Sequence, residues 1–378
     1  MLNRSCPVCV HTDLEIFDLP FQSLVRSDCR PLQAEKNLLQ CGACGLVWSE
    51  LSIPDDFYQD YDLDEELSGQ EQPLFSPDFE GPQPRSRLLL HYLKQSGLLP
   101  DSGKSLDIGC NHGFFSAELQ ALRPHWQVFG FEPLNRPSAL RERHIPAEQF
   151  FHGSLASIPE HYDLISLIHV LEHLVAPEPV LEALKPLMTS ESLLLIQVPD
   201  YTHTLFDLVI YDHLFHYTAH SLKLLLEKLG FEVLHLEHFL PKEITLLCRK
   251  SEKTRASELI REPVLRLESC IQELRALHQR VLNFEDLAAQ ANSHFSLMGT
   301  AIAACCVSGL LRHPPEFYLE ESLEKKEGQF LGRPVYNLPM LQAKEYMNGY
   351  LFLPFPQNQA VRLTSRLQKS LPGWKIEF

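Results

Sequence analysis

The sequence predicts an α/β chain: a parallel sheet with crossover helices, preceded by a four-cysteine ribbon and followed by a second, smaller α/β unit. Three observations carry this. Between residues 81 and 250, short apolar runs alternate with helical runs, and strand–helix alternation builds a parallel sheet. Four of the ten cysteines fall in two Cys-x2-Cys pairs. A stretch over 253–290, rich in Glu, Arg, Leu and Ala with one Pro and no Gly, then separates the two α/β regions.

Size and charge bound the rest. At 378 residues the chain exceeds what a single core usually holds, and two or three domains are expected. An apolar fraction of 44% suits a packed globular protein. With 33 Lys+Arg against 49 Asp+Glu, the net charge is −16, which argues against a nucleic-acid backbone or an anionic membrane as partner. The first eighteen residues lack the basic patch and apolar run of a secretion signal, and no stretch reaches the roughly 18 apolar residues of a membrane span. The cytoplasm is the expected location.

The elements follow in order. Region 1–80 opens on Cys6-x2-Cys9, closed around Pro7 and Val8, and Cys41-x2-Cys44, closed around Gly42 and Ala43. Two such turns aim four thiolates at one point, the donor set of a tetrahedral structural Zn2+ site; reduced cysteines without metal are the alternative. With every coordination position filled by protein, that zinc would hold the fold and perform no catalysis. The other six cysteines read as buried thiols. An acidic, turn-rich stretch over 54–84 contains Tyr58 and Tyr61. Region 81–250 starts with a helix at 85–95 and continues with strands at 105–108, 127–131, 163–170, 193–198, 231–236 and 244–248. Helices at 114–122, 180–187 and 220–229 lie between them. Region 251–292 is a helical brace with Leu265, Leu267, Ile271, Leu274, Leu277 and Val281 at helical spacing. Region 293–378 forms the second α/β unit, with strands near 295–298, 316–319, 335–336 and 350–353.

The strongest local signal is Leu106-Asp107-Ile108-Gly109-Cys110-Asn111-His112-Gly113-Phe114, a strand, a tight turn and a helix start. Glycines let a nucleotide-type ligand approach the backbone, and a helix N-terminus offers free N–H groups. Asn111 stands where a dinucleotide reader would have its second Gly. Some twenty residues on, Glu132 ends an apolar strand, where an acid accepts hydrogen bonds from ribose hydroxyls.

Asp107 before the turn, the shortened glycine pattern and Glu132 resemble the class I S-adenosylmethionine-dependent methyltransferases. Gly153-Ser154-Leu155, the run Tyr162-Asp163-Leu164-Ile165 leading to His169-Val170-Leu171-Glu172-His173, and Ile196-Gln197-Val198-Pro199 fit the same family. The resemblance implies a Rossmann-like methyltransferase core with S-adenosylmethionine held by Asp107, Gly109, Asn111, Gly113, Glu132, Ser154 and His169. Ser154 stands where an Asp commonly accepts the adenine amino group. The order of ribbon, core, brace and C-terminal Rossmann-like unit resembles the sugar C-methyltransferases that act on nucleotide-linked keto-deoxysugars. That resemblance rests also on Gly299-Thr300-Ala301-Ile302-Ala303 and Gly332-Arg333-Pro334-Val335.

Carried over position by position, the narrower resemblance implies His173 at the end of the fourth strand as a catalytic group. It lays a family segment on Phe206-Asp207-Leu208-Val209-Ile210-Tyr211-Asp212-His213-Leu214. His213 and Asp207 match, Asp212 is a shortened Glu, and Ile210 replaces a Tyr, for which Tyr211 can substitute. A further family Tyr falls on Tyr61, less securely on Tyr58. Carbon methylation requires removing a proton beside a carbonyl, so a base must sit beside groups that stabilise an enolate. His213 tuned by Asp212 is the expected base, and His173 with Tyr61 the expected oxyanion partners. His169 and His216 are the weaker candidates for direct catalysis. Oxygen methylation of a small metabolite, and a cofactor-binding scaffold without turnover, are the competing expectations. An anionic nucleotide sugar requires a local basic patch, for which Arg333, Lys242, Arg249 and Lys250 are available.

Overall fold

The computed structural model describes residues 4–54, 56–59, 71, 73–74, 79–133, 145–159, 161–240, 242–251, 265–320, 328–343, 346, 348–355 and 357–378. Near the start, strands β1 (Leu14–Asp18), β2 (Ser23–Val25), β3 (Pro31–Gln33), β4 (Asn37–Cys41) and β5 (Val47–Trp48) are short, as turn-rich sequence with few apolar runs dictates. Helix α1 (Arg85–Ser96) then leads into β6 (Lys104–Ile108), α2 (Phe114–Leu122), β7 (Gln127–Glu132), β8 (Phe150–His152) and β9 (Tyr162–Ile168). Next come α3 (Pro177–Leu184), β10 (Met188–Pro199), β11 (Phe215–His216), α4 (Ala219–Lys228), β12 (Phe231–Glu237) and β13 (Glu243–Lys250).

The core sheet has the order β8-β7-β6-β9-β10-β13-β12. Its first five strands pair in parallel, whereas β13 pairs antiparallel with both β10 and β12. The parallel sheet with crossover helices expected from the sequence is present, with one antiparallel strand, β13, added near its edge. Residues 238–242 are too few to carry a parallel crossover, which needs about a dozen, so β12 and β13 can only meet as a hairpin. Both faces of the sheet are covered, which is why its strands read as continuous apolar runs. Ile165, Leu167, Leu194, Ile196, Ile244 and Leu246 pack with α3 and α4 residues. Their alternates Leu164, Leu193, Leu195 and Leu247 pack with Leu89, Leu90, Leu93, Phe115 and Leu119 of α1 and α2. Thr218 caps α4 reciprocally with Ser221, satisfying two backbone groups at its start.

The C-terminal elements are α5 (Leu265–Gln290), β14 (Phe295–Met298), α6 (Ile302–Leu310), β15 (Tyr318–Glu320), β16 (Gly328–Phe330) and β17 (Arg333–Asn337). They end with α7 (Leu338–Ala343), β18 (Gly349–Phe352), α8 (Gln357–Ser370) and β19 (Trp374–Glu377). Leu267, Ile271, Leu274, Leu277, Val281 and Phe284 form the buried stripe of α5. Strand order is β16-β17-β15-β14-β18-β19, parallel except for edge strand β16. This is a second doubly wound sheet whose order reverses between β14 and β18.

Compact units divide the chain differently from the sequential regions 1–80, 81–250, 251–292 and 293–378. One unit contains residues 1–16, 39–204 and 214–264; the other contains 17–38, 205–213 and 265–378. The reason lies in packing. The β2–β3 hairpin lies against α6, with Leu24 and Val25 fully buried, so the insertion between the cysteine pairs belongs with the C-terminal sheet. Tyr211 N–H donates to the Val25 carbonyl at 2.8 Å, and this ties 205–213 to the same hairpin. No helix among the described residues is long and apolar enough to cross a membrane.

Candidate active site

In the first unit, strand order reverses between β6 and β9, and ligands of such sheets bind outside the carboxyl ends of the strands at that point. Gly109 to Gly113 form the turn there. Gly109 (φ 70°), Asn111 (φ 45°) and Gly113 (φ 77°) all take left-handed backbone. Asn is the residue that best tolerates this conformation after Gly, which explains Asn111 in place of a second glycine. A Cβ on Gly109 would lie 2.5 Å from the Val170 side chain. At the end of β7, Glu132 accepts the Asn111 N–H at 2.7 Å through one carboxylate oxygen. Its place at the strand end beside the turn fits a ribose diol, so these residues suit an adenosyl cofactor.

Asp107, expected to face the cofactor, lies opposite Ser166 in the sheet register and accepts its hydroxyl at 2.6 Å. Burial pushes its carboxyl up to about 7, despite the Ser166 hydrogen bond, with the Glu132 charge adding to the rise. Asp107 thus sits directly beneath the turn, tied to the neighbouring strand through Ser166. Ser154 caps a single helical turn by accepting Ala156 N–H at 3.3 Å and is exposed.

His169 follows β9 directly, at φ 54°. Its Nδ1 lies 3.0 Å from Glu172, and its Nε2 lies 3.4 Å from Glu243, which the Arg85 guanidinium also engages at 2.7 Å. Burial and Arg85 push the imidazole toward neutrality, but Glu243 and Glu172 outweigh them and hold its pKa up at about 9. Burial likewise opposes ionisation of Glu243, yet Arg85 and His169 keep it down at about 2. A protonated His169 is a donor, not a base. Arg85, Glu172 and Glu243 escaped the sequence reading, although Glu172 stands three residues after His169, the spacing of one helical turn.

His173 ends the helical turn Leu171–His173, and its ring meets Tyr58 edge-on at 6.4 Å. Tyr61 lies outside the described residues. His216 is fully buried in β11, opposite Val47. Arg249 pairs with Glu232, and Lys250 donates to the Met188 carbonyl at 2.7 Å, so both serve the fold.

The second unit holds the segment around His213. Its Nδ1 lies 2.6 Å from an Asp207 oxygen, and both side chains are buried. The sequence reading paired His213 with Asp212. Consecutive residues point apart, and the Asp212 carboxylate instead accepts the Ser27 backbone N–H at 2.9 Å and the Ser27 hydroxyl. Ile210 is buried. Lys36, unremarked in the sequence, donates to the carbonyls of Ile210 and His213 at 2.6 and 2.7 Å. Burial lowers its pKa to about 7 against the opposing pull of Asp207 and Asp212. It positions the turn that carries His213.

Cys6, Cys9, Cys41 and Cys44 place all four sulfurs within 4.8 Å of one another, with Cys6–Cys44 at 3.6 Å and Cys9–Cys41 at 3.5 Å. Four thiolates at about 2.3 Å from a tetrahedral zinc stand about 3.8 Å apart, so the donor set fits.

Residues 83–236 match a family model described as a methyltransferase domain. No curated protein matches the chain. Solved structures resemble it over less than half its length. One is an S-adenosylmethionine-dependent methyltransferase from Clostridium acetobutylicum, with 10% identity over 44% of this chain and 90% of that one, TM-score 0.35. Another is human N-acetylserotonin methyltransferase in complex with S-adenosylmethionine, with 18% identity over 44% and 51% and TM-score 0.38. A third is a riboflavin-derivative dimethyltransferase from Streptomyces davawensis, with 20% identity over 43% and 55% and TM-score 0.35. The chain thus spans about half of the length of the human and Streptomyces proteins.

Proposed function

We propose that the chain, whose residues 83–236 match a methyltransferase-domain model, is an S-adenosylmethionine-dependent enzyme that methylates carbon in a nucleotide-linked keto-deoxysugar or a similar small polar metabolite. The observation that carries a base-assisted transfer is the buried Asp207–His213 pair at 2.6 Å; carbon is favoured because the run that holds the pair resembles that of the sugar C-methyltransferases. A carboxylate on Nδ1 fixes the tautomer that leaves Nε2 as proton acceptor and stabilises the imidazolium that forms. S-adenosylmethionine supplies an electrophilic methyl group. His213 takes the proton beside the carbonyl, with Asp207 and Lys36 holding its ring and its backbone; Asp212, through Ser27, fixes the other side of the same turn. His173, with Tyr58 at its edge, is the proposed partner of the developing oxyanion, and Tyr61 keeps its proposed place in the same role. Asp107, Gly109, Asn111, Gly113, Glu132, Ser154 and His169 are the proposed cofactor residues.

The nucleotide part of the reading is supported in the C-terminal sheet. Gly299 (φ 92°) follows β14, and Glu320 at the end of β15 accepts the Thr300 hydroxyl at 2.5 Å, an acid placed as for a ribose hydroxyl. Zn2+ on Cys6, Cys9, Cys41 and Cys44 is proposed as structural. Incubation with methyl-labelled cofactor and a panel of keto-deoxysugar nucleotides tests the proposal. Label is expected on carbon, with loss in His213→Ala; no transfer to any member, or equal transfer by the variant, overturns it.

Oxygen methylation is favoured by one specific observation, the buried Ile210 in place of a phenol that would serve an enolate. Solvent deuterium entering the substrate beside its carbonyl counts against that reading.

A further inference from the structure

We propose that Asp200, His203 and His238 form a second metal site, for a divalent borderline cation such as Zn2+ or Co2+, at the carboxyl end of the core sheet. Topology brings the three together. Asp200 directly follows β10 and His238 directly follows β12, while antiparallel β13 starts between them at Glu243. Both residues therefore emerge at the same end of the sheet. His203 folds back because its N–H and that of Thr204 donate to the Asp200 carbonyl, at 2.9 and 3.1 Å.

Their geometry is that of two imidazoles converging on one carboxylate oxygen. His238 Nε2 lies 2.7 Å and His203 Nδ1 3.3 Å from Asp200 Oδ2, and the ligand atoms all fall within 4.8 Å of one another. Tetrahedral ligands at about 2.1 Å from a metal stand about 3.4 Å apart. His203 and Asp200 already meet that spacing, and His238 needs to retreat by less than an ångström. Its side chain is 32% exposed and has room to do so.

The carboxylate is fixed from behind, since Asp200 Oδ1 accepts the backbone N–H and the hydroxyl of Thr202 at 2.9 and 2.6 Å. Such an outer partner orients a metal-binding carboxylate and leaves the other oxygen directed at the ion. The carboxylate is 3% exposed and His203 47%, so an ion can enter from solvent yet be held against a buried anion. Two nitrogens and one oxygen select zinc-, cobalt- or nickel-like ions over Mg2+ and Ca2+, which favour oxygen donors. Three protein ligands leave a position open for water or a substrate oxygen, unlike the closed four-thiolate set.

Equilibrium dialysis of the full-length protein against Zn2+ provides the test. The native chain is expected to bind one equivalent more than His203→Ala/His238→Ala, with Asp200→Asn weakening the same equivalent. Co2+ added to protein that holds a single equivalent of zinc, taken up by the four thiolates, is expected to give a visible spectrum of nitrogen–oxygen type without a thiolate-to-metal band. Equal zinc in native and double-variant chains, or an equivalent lost only on Cys6→Ser, overturns the proposal and leaves a hydrogen-bonded His–Asp–His set. The half-exposed His203→Ala alone, with an unchanged melting midpoint, separates a lost ligand from a lost fold.

Discussion

His169 carries the clearest electrostatic signature in the first unit. Its folded pKa of about 9 stands above the ordinary histidine value, so its stabilising contribution is full below about pH 6.5 and fades as pH rises through 9. Thermal melts of the native protein are expected to lose stability between pH 6.5 and 9.5, and His169→Gln is expected to flatten that slope. For the Asp207–His213 pair, Asp207→Asn leaves the ring without its orienting anion. A fall of about 100-fold or more in kcat is expected, with KM changing far less; parallel changes in both would point to a binding role. Lys36→Met removes two hydrogen bonds to backbone carbonyls, and a loss of about 1–3 kcal/mol in denaturant unfolding is expected. The run shared by His213 and Asp207 singled out both residues, but the local pattern paired His213 with its neighbour Asp212 and the Asp207 contact came only with the fold. Lys36 was not singled out, because it lies 174 and 177 positions from its acceptors and nothing local marks it.

Among elements, the glycine turn was read correctly in place but misjudged in character. Asn111 looks like erosion of a glycine pattern, whereas its φ of 45° shows that the position needs left-handed backbone and Asn supplies it. Gly109 admits no such substitute. Gly109→Val is expected to abolish cofactor binding and to cost about 1–3 kcal/mol, since the added atoms meet Val170 and the φ of 70° is unfavourable for a β-branched residue. A variant that binds cofactor normally would show that the turn is not where it sits. The β12–β13 hairpin was legible in principle, since connection length alone excludes a parallel crossover, but apolar periodicity carries no information on strand direction.

For the whole molecule, the division into two units could not be read from order along the chain. The insertion between the cysteine pairs looks like part of a ribbon, yet the three residues of β2 are buried against α6. A Cβ on Gly309 in α6 would fall 1.9 Å from the Ser23 hydroxyl. Gly309→Ala is therefore expected to destabilise by about 1–3 kcal/mol, and Ser23→Gly to recover part of the loss in a double-variant cycle. The net charge of −16 bears on the same scale, because Arg249 is paired with Glu232 and Lys250 donates to the Met188 carbonyl, which leaves an anionic substrate to be met by other cations. Methyl transfer by this chain requires an adenosyl cofactor at the turn beside Glu132. Calorimetric titration of S-adenosylhomocysteine into the native chain and Glu132→Ala tests this most directly. One site per chain is predicted, weakened about 10- to 100-fold in the variant, as loss of hydrogen bonds to a charged acceptor implies. Absence of binding to the native chain, or equal affinity in both, would contradict it.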